Sequence, residues 1–145
     1  MADGITHARY ATRAATIITA GAIITATVQP IALGVAVGAW GAVLVGPDYD
    51  LHVNVDQKQM VWRYNKILGT LWNWYWKPYD WMNGHRGRSH NIPAGTFDRF
   101  VLLFWLPVLL SCYVALSWWL LAFWVLVFVG QCCVDAVHLR LDGLL

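Results

Sequence analysis

Five histidines, His7, His52, His85, His90 and His138, are the side chains in this sequence best suited to chemistry. None falls inside a long apolar run; each lies near the end of one or in the loop between, and most have an aspartate close by. Asp48 and Asp50 occur in Gly46-Pro47-Asp48-Tyr49-Asp50, and His85 and His90 flank Arg86-Gly87-Arg88-Ser89. Asp135, His138 and Asp142 follow one another at i, i+3 and i+7, so a helix presents all three on one face. Imidazole and carboxylate are the ligand types of zinc, manganese and iron, and His138 with Asp142 at i, i+4 can share one ion. An ion pair at a helix end has the same spacing, so that pair alone fits either reading.

The elements that must position these residues follow from where charge is missing. No Asp, Lys, Arg or His occurs from Ala14 through Pro47 or from Phe100 through Val134, and Glu is absent throughout. The 145-residue chain is 59% hydrophobic and 12% charged, against about 25% charged for an ordinary soluble domain. Its mean hydropathy is +0.49. This composition excludes disorder and argues against a conventional water-soluble globule. A net charge of +2 without a basic block argues against nucleic-acid binding. Three cysteines, two of them the adjacent Cys132 and Cys133, imply no disulfide framework.

Each apolar run exceeds the about 20 residues of one bilayer crossing, and two short helices fit each at the lower limit. The expected fold is therefore all-α, a single membrane domain over 1–145 with two transmembrane helical hairpins, four short spans and an interfacial amphipathic helix. Hairpin one, 14–46, breaks at Gln29-Pro30, giving arms Ala14–Gln29 and Ile31–Gly46. Gly34 and Gly38, extended by Ala42, have the spacing that lets helices approach closely, although small residues are common in membrane helices anyway. Hairpin two, 100–134, is built of Leu, Val, Phe and Trp, with its turn expected at Ser117-Trp118-Trp119 and those tryptophans at an interface. Arg9 and Arg13 before an apolar stretch imitate a signal peptide; we read that stretch as a membrane arm.

The segment 48–99 holds seven of the ten Lys and Arg residues. Within it Met60–Lys77 has helical periodicity, with Arg63, Lys66, Thr70, Asn73 and Lys77 on one face and Val61, Tyr64, Leu68, Leu71 and Tyr75 on another. Pro78 is expected to end this helix. It either lies in the membrane interface or packs on the chain's own core. Two hairpins put every Lys and Arg on one side of the bilayer, which the positive-inside rule makes the cytoplasm. The same topology brings the His and Asp residues out on one face, where they can converge.

Thr6-His7-x-Arg9, Gly46-Pro47-Asp48-x-Asp50-x-His52, the Trp-rich stretch to Lys77-Pro78-Tyr79, His85-Arg86 before Ser89-His90, and the closing His138-x3-Asp142 occur in this order. The ordered set resembles the metal-binding membrane proteins common in cyanobacteria, which look related to membrane-bound metal-dependent hydrolases. More distantly it is similar to the all-helical zinc-dependent phospholipase C group. The resemblance covers nearly the whole chain. It implies that His7, Asp48, Asp50, His85, His90, His138 and Asp142 are metal ligands or their close partners, with 135–145 as the closing metal motif. The spacing departs from the expected pattern at Gly87-Arg88, between His85-Arg86 and Ser89-His90.

These readings give each residue an expected role. Asp48 or Asp50 would serve as general base, since no Glu exists; Asp50 would otherwise bridge two ions or orient a histidine. Arg86 matches a phosphate oxygen pair, or a headgroup or an aspartate. His52, Ser89 and Asp135 are expected behind the ligands. The cofactor expected is a divalent metal, zinc first, then manganese or iron. A divalent ion makes hydroxide available near neutral pH, and two ions clamp a phosphoester. The resulting expectation is a membrane-embedded metal-dependent hydrolase of a phosphoester such as a lipid headgroup. Its alternative is a non-catalytic metal-binding or scaffold subunit of a larger membrane complex. Membrane lipids and other membrane subunits are the expected partners.

Overall fold

A computed structural model describes residues 4–50, 56–82 and 88–144, and no strand occurs among them. The helices are α1 (Gly4–Ala26), α2 (Leu33–Leu44), α3 (Asp56–Tyr64), α4 (Lys66–Met82), α5 (Ala94–Val114) and α6 (Trp118–Leu141). Short 3-10 turns occur at Pro30–Ala32, Pro47–Asp50 and Arg88–His90.

The first hairpin turns where Pro30 predicts, because proline opens the 3-10 turn that ends the first arm. α1 starts ten residues before the uncharged run, so His7 rides on α1 itself. The second hairpin turns slightly earlier than expected. α5 ends at Val114, and Ser117 caps α6 by accepting a hydrogen bond from the Leu120 N–H at 3.2 Å. Trp118 and Trp119 are therefore the first helical residues of α6. A serine hydroxyl satisfies a helix's free N–H groups and an indole does not, so the boundary falls at Ser117.

α5 and α6, with 21 and 24 residues, are long and apolar enough to cross a membrane. The 12 residues of α2 extend about 18 Å, short of a hydrocarbon core of about 30 Å. Among the described residues two helices, against the four short spans expected, thus have the length and composition of a membrane span.

The core of the bundle is a close crossing of α2 on α6. A Cβ placed on Gly38 would stand 1.7 Å from the Val127 carbonyl oxygen, and one on Gly130 would stand 2.0 Å from that of Val35. Gly34 meets Phe123 in the same way. The glycine spacing is therefore a helix contact and more than composition. Ala39 and Ala42 of α2 turn to Ala11 and Ala15 of α1 and to Val134 of α6, which brings α1 into the same core.

The expected helix Met60–Lys77 is two helices. Asn65 interrupts it, its side-chain oxygen accepting from the N–H groups of Ile67 (2.9 Å) and Leu68 (3.1 Å) to cap α4. α3 folds back on α4, and Gly69 gives Trp62 room to approach. Pro78 does not end α4, which continues to Met82. Tertiary contacts hold the turn beyond it: Tyr79 is buried, packs edge-on against Trp76 and joins Val45 in a cluster with Leu102 and Leu103. α4 also has an outward face carrying exposed Ile67, Trp74 and Trp81. It therefore packs on the chain's own core and keeps an amphipathic exterior.

Candidate metal centre

α1 and α5 begin at the same end of the bundle at which α2 and α6 finish, so four distant segments meet there. His7 sits near the start of α1, and Asp48 in the 3-10 turn that follows α2 at Gly46-Pro47. His90 closes the 3-10 turn before α5. His138 lies in the last turn of α6, and Asp142 is its C-cap.

Local sequence explains two of these placements. Gly143, at φ 70°, ends α6 with the Gly143 N–H donating to the Arg140 carbonyl (3.2 Å) and the Leu144 N–H to that of Leu139 (2.9 Å). This glycine-terminated stop fixes Asp142 beside His138. Gly95 in the first turn of α5 lets the 3-10 turn lie directly on the helix: an added Cβ would stand 2.4 Å from the Ser89 carbonyl oxygen. His90 is thereby held inward, with its side chain 3% exposed.

The five side chains form one cluster. His138 Nε2 stands 3.3 Å from Asp48 Oδ2 and 3.4 Å from Asp142 Oδ2. His90 Nε2 is 3.4 Å from Asp48 Oδ1, and His7 Nε2 is 3.3 Å from Asp142 Oδ1. Each carboxylate thus turns its two oxygens to different imidazoles. The His7 and His138 rings stack at 4.2 Å. One donor atom from each of Asp48, His90, His138 and Asp142 falls within 4.8 Å of the others. Burial pushes the Asp48 carboxyl up, but hydrogen bonding and the charge of His138 and His90 outweigh it and hold it well below the usual carboxylate range.

These donors fit a divalent cation. Ligands about 2.1 Å from zinc stand about 3.4 Å apart at the tetrahedral angle, which matches the nitrogen-to-oxygen spacings here. His138 Nε2 is fully buried and faces Asp48 Oδ2 and Asp142 Oδ2 together, three donor atoms turned toward one point that a cation would share. Ser89 Oγ lies 3.0 Å from His90 Nδ1, the position of a partner that fixes which ring nitrogen faces the cluster.

Of the residues singled out in the sequence, the structure brings together His7, Asp48, His90, His138 and Asp142, with Ser89 behind His90. His52, His85 and Arg86 lie outside the described residues, as does the side chain of Asp50. Asp135, one turn before His138, faces elsewhere: its Oδ2 accepts from Thr96 Oγ1 (2.6 Å) and from Arg99 Nη2 (2.5 Å). Sequence reasoning missed Arg99 altogether. The signal was present, since Arg99 is the last charge before the second apolar run and Asp135 the first after it. A hairpin of that run sets the two side by side.

Residues 2–141 match the family described as "Uncharacterized metal-binding protein (DUF2227)". No curated protein and no solved structure matches the chain.

Proposed function

This chain belongs to that metal-binding family, and on that premise we propose that it is a membrane-embedded protein holding one divalent cation, zinc, among His7, Asp48, His90, His138 and Asp142. The carrying observation is the convergence of Asp48, His90, His138 and Asp142 from three separate segments, one donor atom of each within 4.8 Å of the others, with His7 of α1 3.3 Å from Asp142. Charge agrees, because the two carboxylates balance one divalent cation. Membrane embedding draws support from the length and apolarity of α5 and α6 and from the exposed Leu109, Val114, Leu116, Trp118 and Trp119 around their turn. Apolar surface so extensive suits lipid and not water. Arg9, Arg88, Arg99 and Arg140 lie on the helix ends that meet at the metal cluster, which makes that end cytoplasmic by the positive-inside rule.

Metal content of detergent-purified protein, prepared without chelator, tests this reading. The expected result is about one equivalent of zinc in wild type and none in His138→Ala. Wild type free of metal would overturn it.

A hydrolytic role is favoured by one observation. The Asp48 side chain keeps 20% of its surface exposed, while those of His7, His90, His138 and Asp142 keep 8% or less. The cluster therefore opens to the outside at Asp48, the side from which a water or a substrate oxygen would reach a bound cation. A divalent cation supplies hydroxide near neutral pH when bound, and a site at the membrane surface suits a phosphoester of a lipid headgroup. Metal-loaded protein that releases no headgroup from a broad phospholipid panel leaves the purely metal-holding role.

A further inference from the structure

Arg99 has none of its surface exposed, although it lies in the first turns of the apolar helix α5. Its guanidinium reaches three other elements at once. Nη2 donates to Asp135 Oδ2 on α6, while Nη1 donates to Tyr79 Oη on α4 and to the Ser89 carbonyl oxygen in the turn before α5, both at 2.8 Å. Two of these partners are next to the metal cluster along the chain. Ser89 directly precedes His90, and Asp135 stands one helical turn before His138. Thr96 completes the group by donating to the same Asp135 oxygen.

Two buried charges are a costly way to fill space, since an apolar pair of similar volume usually closes such a gap as well or better. A planar fork of donors does what an apolar pair cannot: it fixes directions. We propose that Arg99 is a positioning residue for the metal centre, holding the Ser89–His90 turn and the Asp135–His138 turn of α6 at the separation at which their imidazoles share one ion. This rests on the reading of the cluster as a metal centre. The chain of contact is short. Arg99 grips the Ser89 carbonyl, Gly95 lets that turn lie flat on α5, and Ser89 Oγ meets His90 Nδ1.

Two variants of the full-length protein in detergent separate positioning from simple support. Arg99→Lys keeps the charge beside Asp135 but loses the fork that spans three acceptors. The double variant Arg99→Met with Asp135→Leu removes both charges and fills the space, so the bundle can still fold. The measurements are zinc affinity by competition with a chelator, the visible spectrum of the cobalt-substituted centre, and the ring nitrogen signals of His90 in metal-free protein labelled with 15N-histidine. Positioning predicts zinc affinity about 10–100-fold weaker in both folded variants, the loss typical when a ligand's outer partner is removed. It also predicts an altered cobalt spectrum and His90 nitrogen signals averaged between tautomers. Wild-type affinity, spectrum and His90 signals in either folded variant would overturn the proposal. Wild type that binds no zinc sinks the metal reading instead, and the His90 signals of metal-free protein then still decide whether Arg99 orders that ring.

Discussion

Along α6 the chain changes how it holds its neighbours. From Phe123 to Gly130 it meets α2 through missing side chains, with Gly34 and Gly38 laid against its backbone carbonyls and Gly130 against that of Val35. From Gln131 to Asp142 it meets α5, α1 and the 3-10 turns at Pro47–Asp50 and Arg88–His90 through side chains, with Asp135, His138 and Asp142 each engaged by residues from other elements. If the bundle lies in lipid, as proposed, apolar side chains gain little by leaving one apolar neighbour for another. Close backbone packing and polar contacts remain as the ways to bind helices together, and α6 uses one in each half. The first half fails by addition of an atom, the second by loss of one.

Gly38→Val tests the first half most severely. Its Cβ would press on backbone that cannot turn aside, so we expect a loss of more than about 3 kcal/mol, read as a collapse in thermal stability and in yield of folded protein. Gly21→Val on α1 meets nothing within 4 Å and should leave both unchanged. An equal loss at both positions would show that the crossing is not the specific contact described.

His138→Ala tests the second half. We expect bound metal to fall by more than about 100-fold, beyond the effect of losing an outer partner, while the α2 and α6 crossing persists. A chelator should then lower the melting temperature of wild type, because a ligand held at 1,000 times its dissociation constant stabilises by about 4 kcal/mol. The same chelator should leave the His138→Ala protein unmoved. A smaller effect belongs to Ser89→Ala, with metal affinity down about 10-fold through the freed His90 ring and little change in stability.

Acid separates the halves without mutation. The Asp48 carboxyl is held below its ordinary value of 3.8 in the folded protein. Its contribution to metal-free stability is therefore complete above that value and drains away as pH falls through the lower folded one. Urea midpoints of metal-free protein between pH 5 and pH 2 should drop in wild type and drop less in Asp48→Asn. The glycine crossing contains no titrating group and contributes nothing to that slope. The smallest effect is expected from Arg88→Gln. Its ion pair with Asp98 is exposed at the arginine and screened by water, and neither melting temperature nor metal content should move measurably.

Much of this was legible in the residues. The uncharged runs marked the helical hairpins, Pro30 marked the first turn, and Gly34 with Gly38 marked the crossing, because each is a local consequence of side-chain type. Asn65 and Ser117 were also legible as caps, yet the longer periodic pattern and the paired tryptophans obscured them. Helical periodicity reports which face is apolar, and it continues through a break whenever both pieces keep the same face outward. Pro78 misled for the opposite reason: the burial of Tyr79 and its bond to Arg99, both supplied by other helices, hold the turn past a residue that would end an isolated helix.

The sequence by itself determined that this chain is helical, that its charges gather at one end of each hairpin, and that the candidate ligands His7, Asp48, Asp50, His85, His90, His138 and Asp142 fall near that end. Apolar length and the lack of backbone donors in proline suffice for that, since both act over a few neighbouring residues. Only the tertiary structure decided that Asp48, His90, His138 and Asp142 come within ligand distance of one another with His7 beside Asp142, that Asp135 turns to Arg99, and that one guanidinium ties α4, α5 and α6 together. Such contacts depend on distances between segments far apart in the chain matching to within a few tenths of an ångström. Those distances are set by how closely glycine and alanine let the helices pack.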